Sequence, residues 1–212
     1  MKILYSGKTV QGKDHEENED SLLMEQNLKL FAVADGVSIP KGGKEASQKI
    51  LKYLKEFFKG NLKKAIEKAN EVFVEEKSKK FFEGYSTIAA VHLKENSMEA
   101  CNVGDSPIFL IRKNKIENLA FLDRLFGTSS LTQAIGENFI KVHSVEKEIE
   151  VGDIVMLATD GITDVLSEEE IVEVLKKQSE LEKIVDEIIQ KAEKKPSFYQ
   201  DDKTLILIKV IE

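Results

Sequence analysis

Four stretches of this sequence set a carboxylate where an apolar run begins or ends. Leu30-Phe31-Ala32-Val33-Ala34 stops at Asp35-Gly36, and Ile154-Val155-Met156-Leu157-Ala158 leads through Thr159 to Asp160-Gly161. Asp201-Asp202 stands just before Leu205-Ile206-Leu207-Ile208, and Glu19-Asp20 just before Ser21-Leu22-Leu23-Met24. A buried strand ending in Asp delivers that side chain to the open edge of a sheet. A glycine in the next position lets the backbone turn sharply and sets its carbonyl beside the carboxylate. Oxygen ligands of this kind suit hard cations such as Mg2+ and Mn2+. Asp and Glu are also the only such ligands present in number, since the chain has 3 His and 1 Cys. One Asp at a strand end is ordinarily a turn or cap residue; it is their joint placement that points to a shared site.

The elements that must carry these residues fit within 212 residues, 42% of them hydrophobic, which is enough to bury a full core and is most simply one domain over 1–212. With 3 Pro and 12 Gly and no low-complexity tract, nothing marks a linker. The stretch Met1–Lys8 lacks the apolar segment of a secretory signal, and no run approaches the roughly 18 apolar residues needed to cross a bilayer. A cytosolic protein without a membrane partner is the expectation. The lone Cys101 rules out an internal disulfide and fits a reducing compartment. A net charge of -7 disfavours a nucleic-acid partner, because phosphate backbones are bound by basic patches.

In chain order, residues 2–8 and 21–35 read as strands joined by a polar segment. Ala46, Ile50, Leu54 and Phe57 then share a helical face, and after Gly60-Asn61 a second face carries Leu62, Ala65, Ile66, Ala69, Val72 and Phe73. These should form an antiparallel pair. Runs at 86–93, 98–103 and 108–112 predict an antiparallel meander, with shorter strands expected at 131–133 and 139–145. Ser167-Glu168-Glu169-Glu170 is a capping-box signature opening a helix, and Leu181, Ile184, Val185, Ile188, Ile189 and Ala192 stripe another that ends before Pro196. A strand at 204–211 closes the chain. Two helical pairs and eight or more mainly antiparallel strands predict an α+β fold of two packed sheets with a helical layer outside each.

These residues resemble the PP2C-type (PPM) metal-dependent protein serine/threonine phosphatases, in a bacterial short form with a reduced flap. The resemblance is carried by Asn18-Glu19-Asp20-Ser21, Ala34-Asp35-Gly36 with Gly43-Lys44-Glu45-Ala46-Ser47, Ser86-Thr87, Val103-Gly104-Asp105-Ser106, Leu131-Thr132-Gln133-Ala134-Ile135-Gly136, Thr159-Asp160-Gly161 and Asp201-Asp202-Lys203-Thr204. Each is weak alone; seven in order over nearly the whole chain are specific. The resemblance implies a four-layer α-β-β-α sandwich and hydrolysis of phosphoserine or phosphothreonine on a protein by a hydroxide bridging two cations, Mn2+ or Mg2+. It implies that Asp35 bridges the two ions, that Asp160 and Asp201 complete one of them, and that the Gly36 carbonyl binds the other. Glu19 and Asp20 would act through water, and Asp105 would belong to a weaker third cation position. A phosphoprotein substrate, a cognate kinase and a monomeric state are the implied partnerships.

The chain departs from the family in three places. His15 stands where members carry a phosphate-gripping arginine, so phosphate binding there would require a protonated ring or a neutral N–H. Only Arg112 and Arg124 are available to replace it, and Arg124 is the candidate. Val37 follows Asp35-Gly36 where eukaryotic members have a histidine proposed as general acid. The segment between Lys115 and Leu131, where many members insert a flap, is short. Ser86-Thr87, His92 and His143 read as sheet residues. A cysteine phosphatase is excluded because Pro107 occupies the arginine position relative to Cys101, and an N-terminal nucleophile hydrolase because Met1 offers none. Two other readings remain open: a phosphatase-like module that binds phosphoproteins without turnover, and a phosphatase of small phosphate esters.

Overall fold

The computed structural model describes residues 1–80, 82–128, 130–177, 180–197 and 199–212. Among these the chain runs β1 (Ile3–Val10), β2 (Ser21–Glu25), β3 (Leu30–Ala34), α1 (Gly43–Phe57), α2 (Leu62–Lys80), β4 (Ile88–Leu93), β5 (Ser97–Val103), β6 (Ile108–Arg112), β7 (Lys115–Asn118), β8 (His143–Glu148), β9 (Ile154–Ala158), α3 (Asp160–Thr163), α4 (Glu168–Leu175), α5 (Leu181–Lys194) and β10 (Lys203–Val210). One sheet has the order β1-β10-β9-β6-β7 and the other β2-β3-β4-β5-β8, with every pairing antiparallel.

Side-chain alternation along the central strands builds three apolar layers. On β3, Leu30, Ala32 and Ala34 pack against α1 and α2, whereas Phe31 and Val33 face the opposite sheet. On β9 and β10, Val155, Leu157, Ile206 and Ile208 enter that same layer between the sheets, and Met156, Ala158, Leu205 and Leu207 pack against α4 and α5. A period of two cannot do otherwise when a strand is covered on both faces. The expected α-β-β-α sandwich follows, and the continuous apolar runs at 30–34 and 205–208 mark strands buried on both sides.

The helices are stopped and started by local chemistry. The Asn61 side chain accepts from the Lys64 N–H, while the buried Glu99 carboxylate on β5 accepts from the N–H groups of Leu62 and Lys63 and so caps α2 from the sheet beneath it. Ser167 and Glu170 form the reciprocal capping box at α4.

Four expectations need correction. The run 86–112 is no meander: β4 and β5 pair, but Gly104–Pro107 carries the chain across to the other sheet, where β6 lies between β9 and β7. Gly104 makes the crossing possible with a φ of +95°. Residues 131–133 make only an isolated bridge, Leu131 to Arg124; Leu131 lines a cavity, and Thr132 and Gln133 bond to Asp123 and Lys141 in the loops beside it. The predicted strand 139–145 is instead β8, His143–Glu148, whose alternating exposure marks an edge strand; Phe139 is 92% exposed and stands outside any sheet. The stretch 21–35 is a hairpin, broken by a 3-10 turn at Gln26–Leu28 with Lys29 in the left-handed region.

Candidate metal centre

Strand register decides which residues meet. Ala34 pairs with Ser21, so Asp20 and Asp35, one residue beyond each, emerge at the same end of their sheet. Ile88 pairs with Val103, which brings Ser86-Thr87 and Gly104-Asp105 to that end as well. In the other sheet Ala158 pairs with Leu205, so Asp160 and Asp201-Asp202 project from one edge. The two edges face each other across the sandwich, and Asp35, Gly36, Asp105, Asp160, Asp201 and His15 line one cavity of about 570 Å3.

Each of these carboxylates is placed by its neighbours. The Asp35 amide donates to Thr87 Oγ1 (3.1 Å), and its carbonyl accepts from the Thr87 amide (2.8 Å) and from Ser86 Oγ (2.8 Å). Thr87 Oγ1 in turn lies 2.7 Å from Ser106 Oγ, which ties the Asp35 turn to the Asp105 turn. Ser86 and Thr87 therefore hold backbone, as a sheet reading of them anticipates. Asp20 is buried, and its Oδ2 accepts from Thr159 Oγ1 (2.8 Å) and Thr204 Oγ1 (2.7 Å), joining the ends of β2, β9 and β10.

Close backbone contacts demand glycine at two positions. A Cβ on Gly36 would lie 2.4 Å from the Gly43 backbone and 2.6 Å from the Glu19 carbonyl, and one on Gly161 would lie 1.9 Å from the Asp202 carbonyl. Each Asp-Gly pair thus packs against the segment that carries another acid.

Burial, only partly offset by positive charge, governs the electrostatics. Burial, then the charges of Asp20, Asp160, Asp201 and Asp105, hold the Asp35 carboxyl well above the usual range. Asp20 is raised well above it too, by burial against the pull of its two hydroxyl donors. Burial followed by Asp105 and Asp201 pushes Asp160 up to about 7, and burial pushes Asp105 up to about 6 although Arg124 opposes it. Asp201 is raised by burial, with the Asp202 amide and His15 opposing. Carboxylates crowded in this way favour any cation that can enter. Their donor set is all oxygen, as hard divalent ions require.

Asp202, quoted with Asp201 in the sequence but given no role, is an organiser of the site. It is 3% exposed; Oδ1 accepts from the Gly12 amide (2.7 Å), and Oδ2 accepts from the Glu19 amide (2.7 Å) and meets His15 Nδ1 (2.8 Å). His15 Nε2 lies 3.2 Å from Asp201, so both ring nitrogens face carboxylates, and although burial lowers its affinity for a proton, the bond and charge of Asp202 and the charges of Asp201 and Glu19 raise it overall. His15, Asp201 and Asp202 form the one trio among the described residues whose ligand atoms all lie within 4.8 Å of one another. Asp35, Asp160 and Asp201 line the same cavity but are not within that spacing of one another. Glu19 accepts from Ser38 Oγ at the edge of the cavity. Arg124 forms a bidentate pair with Asp164 and lies 3.5 Å from Asp105 and 3.8 Å from Asp160. Asp164 was legible only as the residue four after Asp160, one helical turn on.

A family model described as Stage II sporulation protein E (SpoIIE) matches residues 22–211. The chain is 24% identical over 237 aligned residues to the serine/threonine phosphatase stp of Listeria monocytogenes serotype 4b (strain F2365), covering 95% of this chain and 93% of that protein. Its fold superposes on the serine/threonine phosphatase PstP/Ppp of Mycobacterium tuberculosis with a TM-score of 0.89 at 20% identity over 99% of both chains. It superposes equally on a PstP catalytic domain in complex with 2 manganese ions, at a TM-score of 0.87, 21% identity and 99% of both chains. The family match over 22–211, on a four-layer sandwich whose acidic rim carries the whole motif series, places this chain in the SpoIIE family of PP2C-type (PPM) phosphatases.

Proposed function

We propose that the chain is a metal-dependent protein serine/threonine phosphatase, acting on phosphoserine or phosphothreonine of a folded protein. The observation that carries this reading is the convergence of Asp20, Asp35, Asp105, Asp160 and Asp201 from separate strand ends on one rim, Asp20 and Asp105 buried and the other three half-buried, all with raised proton affinities. The stp and PstP phosphatases support the reaction class, and the manganese-bound PstP domain supports the cofactor.

Asp35, Asp160, Asp201 and the Gly36 carbonyl would hold two divalent cations, Mn2+ or Mg2+, with Asp20 and Glu19 acting through water. Bound there, such ions supply an activated water and neutralise charge on the phosphoryl oxygens. The chain's own contribution is position. Thr87 and Ser86 fix the Asp35 turn, Thr159 and Thr204 fix Asp20, and Asp202 fixes the loop that carries Glu19. Tyr85, Val37, Ile39, Pro40 and Tyr199 wall the cavity beside the acids. His15, held by two carboxylates, contributes a proton-bearing group at the same edge. The reading pairs the chain with a protein kinase and takes residues 1–212 as one catalytic domain, monomeric and cytosolic; no helix among the described residues is long and apolar enough to cross a membrane.

The substrate class is tested by comparing kcat/KM for a phosphothreonine protein with that for p-nitrophenyl phosphate. Binding energy from parts of a substrate remote from the reacting bond is lost in a small ester, so the phosphoprotein should be preferred by at least about 10-fold. Equal values would move the assignment to small phosphate esters.

A further inference from the structure

Beside the proposed pair of ion positions, and sharing Asp160 with it, lies a corner of the rim where three carboxylates meet one guanidinium. Arg124 Nη1 and Nη2 donate to the two oxygens of Asp164 at 2.9 and 2.7 Å, Nε lies 3.5 Å from Asp105 Oδ2, and Nη2 lies 3.8 Å from Asp160 Oδ2. Nε also donates to the Thr128 carbonyl at 2.7 Å. The guanidinium is thus committed on its own loop and on Asp164, in a fork that matches the carboxylate plane.

The loop that presents it is fixed just as firmly. Asp123, the neighbour of Arg124, is buried and accepts from the Gly104 amide (3.0 Å), Gln133 Nε2 (2.7 Å) and His143 Nε2 (2.9 Å). Its own amide donates to the Gly104 carbonyl (3.0 Å), next to Asp105. The backbone at Arg124 therefore cannot drift from the Asp105 turn without breaking a buried hydrogen-bond network.

We propose that Arg124 is the resident cation of the Asp105–Asp160–Asp164 corner, a side chain standing where an additional divalent ion would otherwise bind. This rests on the two-metal phosphatase reading and sharpens it. The corner that resemblance would give to a third ion is filled covalently by the chain, and Arg124 is a positioning residue for Asp160 rather than a clamp on substrate phosphate. A phosphate reaching Arg124 would have to displace a bidentate carboxylate.

Calorimetric titration with Mn2+ tests this on the full chain, using wild type, Arg124→Met, Arg124→Lys and Arg124→Met with Asp105→Asn. Removing the guanidinium should add one Mn2+ per chain relative to wild type; the added isotherm should vanish in the double variant, and Arg124→Lys, which keeps the charge, should keep wild-type stoichiometry. Arg124→Gln, able to retain the bond to Thr128, serves as the second neutral variant, and circular dichroism confirms that each chain is folded. Unchanged stoichiometry in folded Arg124→Met and Arg124→Gln overturns the proposal, as does an extra ion in Arg124→Lys. So does unchanged stoichiometry with a raised KM for phosphoprotein, which would make Arg124 a phosphate ligand. A wild-type chain that binds no Mn2+ overturns the two-metal reading itself, an outcome distinct from any of these.

Discussion

Asp202 shows what a single carboxylate does when it is buried with all its valences engaged. Two backbone amides, Gly12 and Glu19, and the His15 ring converge on it, so that the polar segment 11–20 is drawn over the edge of β10 and Glu19 and Asp20 are presented to the cavity. Replacement by Ala leaves two N–H donors, one of them fully buried, and His15 Nδ1 without a partner. Each unsatisfied buried group costs on the order of 1–3 kcal/mol, so Asp202→Ala should lose about 3 kcal/mol of stability. Urea unfolding measures this directly, and a loss under about 1 kcal/mol would mean that water takes over the role of the carboxylate. The sequence offered Asp201 and Asp202 as equals. Only the register of β10 separates them, turning Asp202 inward and leaving Asp201 on the cavity wall.

At the scale of elements, α1 and α2 are joined by an apolar stripe and by one polar clasp. Glu76 on α2 accepts from Lys49 and from Tyr53 on α1 and from Lys80 one turn on. Lys49, then Lys80 and Tyr53, bring its carboxyl down to about 2 from the ordinary 4.5. An acid whose folded value is depressed adds stability above its unfolded value and loses it as pH falls toward the folded one. The clasp should therefore weaken between about pH 4.5 and 2. Solvent screening limits its worth to about 1 kcal/mol. Glu76→Gln should lower the thermal midpoint at pH 6 and flatten its fall over that interval, and an unchanged pH profile would remove the clasp from the account. Both helices were legible from their apolar periodicity, but the clasp was not, because a Lys/Glu-rich surface looks the same whether or not its charges meet. Equally, β6 was read into a meander with β4 and β5: its apolar pattern is that of a strand in either sheet, and only the crossing at Gly104–Pro107 assigns it.

For the molecule as a whole, the layers were readable because strands buried on both faces leave continuous apolar runs, while the edge strand β8 alternates and was misplaced by several residues. The ligand candidates were readable as residue types at strand ends. Their geometry was not, since Asp20, Asp35, Asp105, Asp160 and Asp201 are neighbours only through antiparallel register and the facing of two sheets. The same facing explains why a chain with net charge -7 buries so much of its negative charge at one rim. That concentration is costly for folding and useful only if cations are held there.

The most direct test is phosphate release from a phosphothreonine protein by wild type and Asp160→Asn, each with Mn2+, with Mg2+ and with chelator. The account predicts turnover that requires the divalent ion and is removed by chelator. It also predicts that Asp160→Asn falls by at least about 100-fold, the scale lost when one electrostatic contribution to a transition state is deleted. Turnover that survives chelation, or an Asp160→Asn chain as active as wild type, would contradict a metal-dependent reaction at this rim.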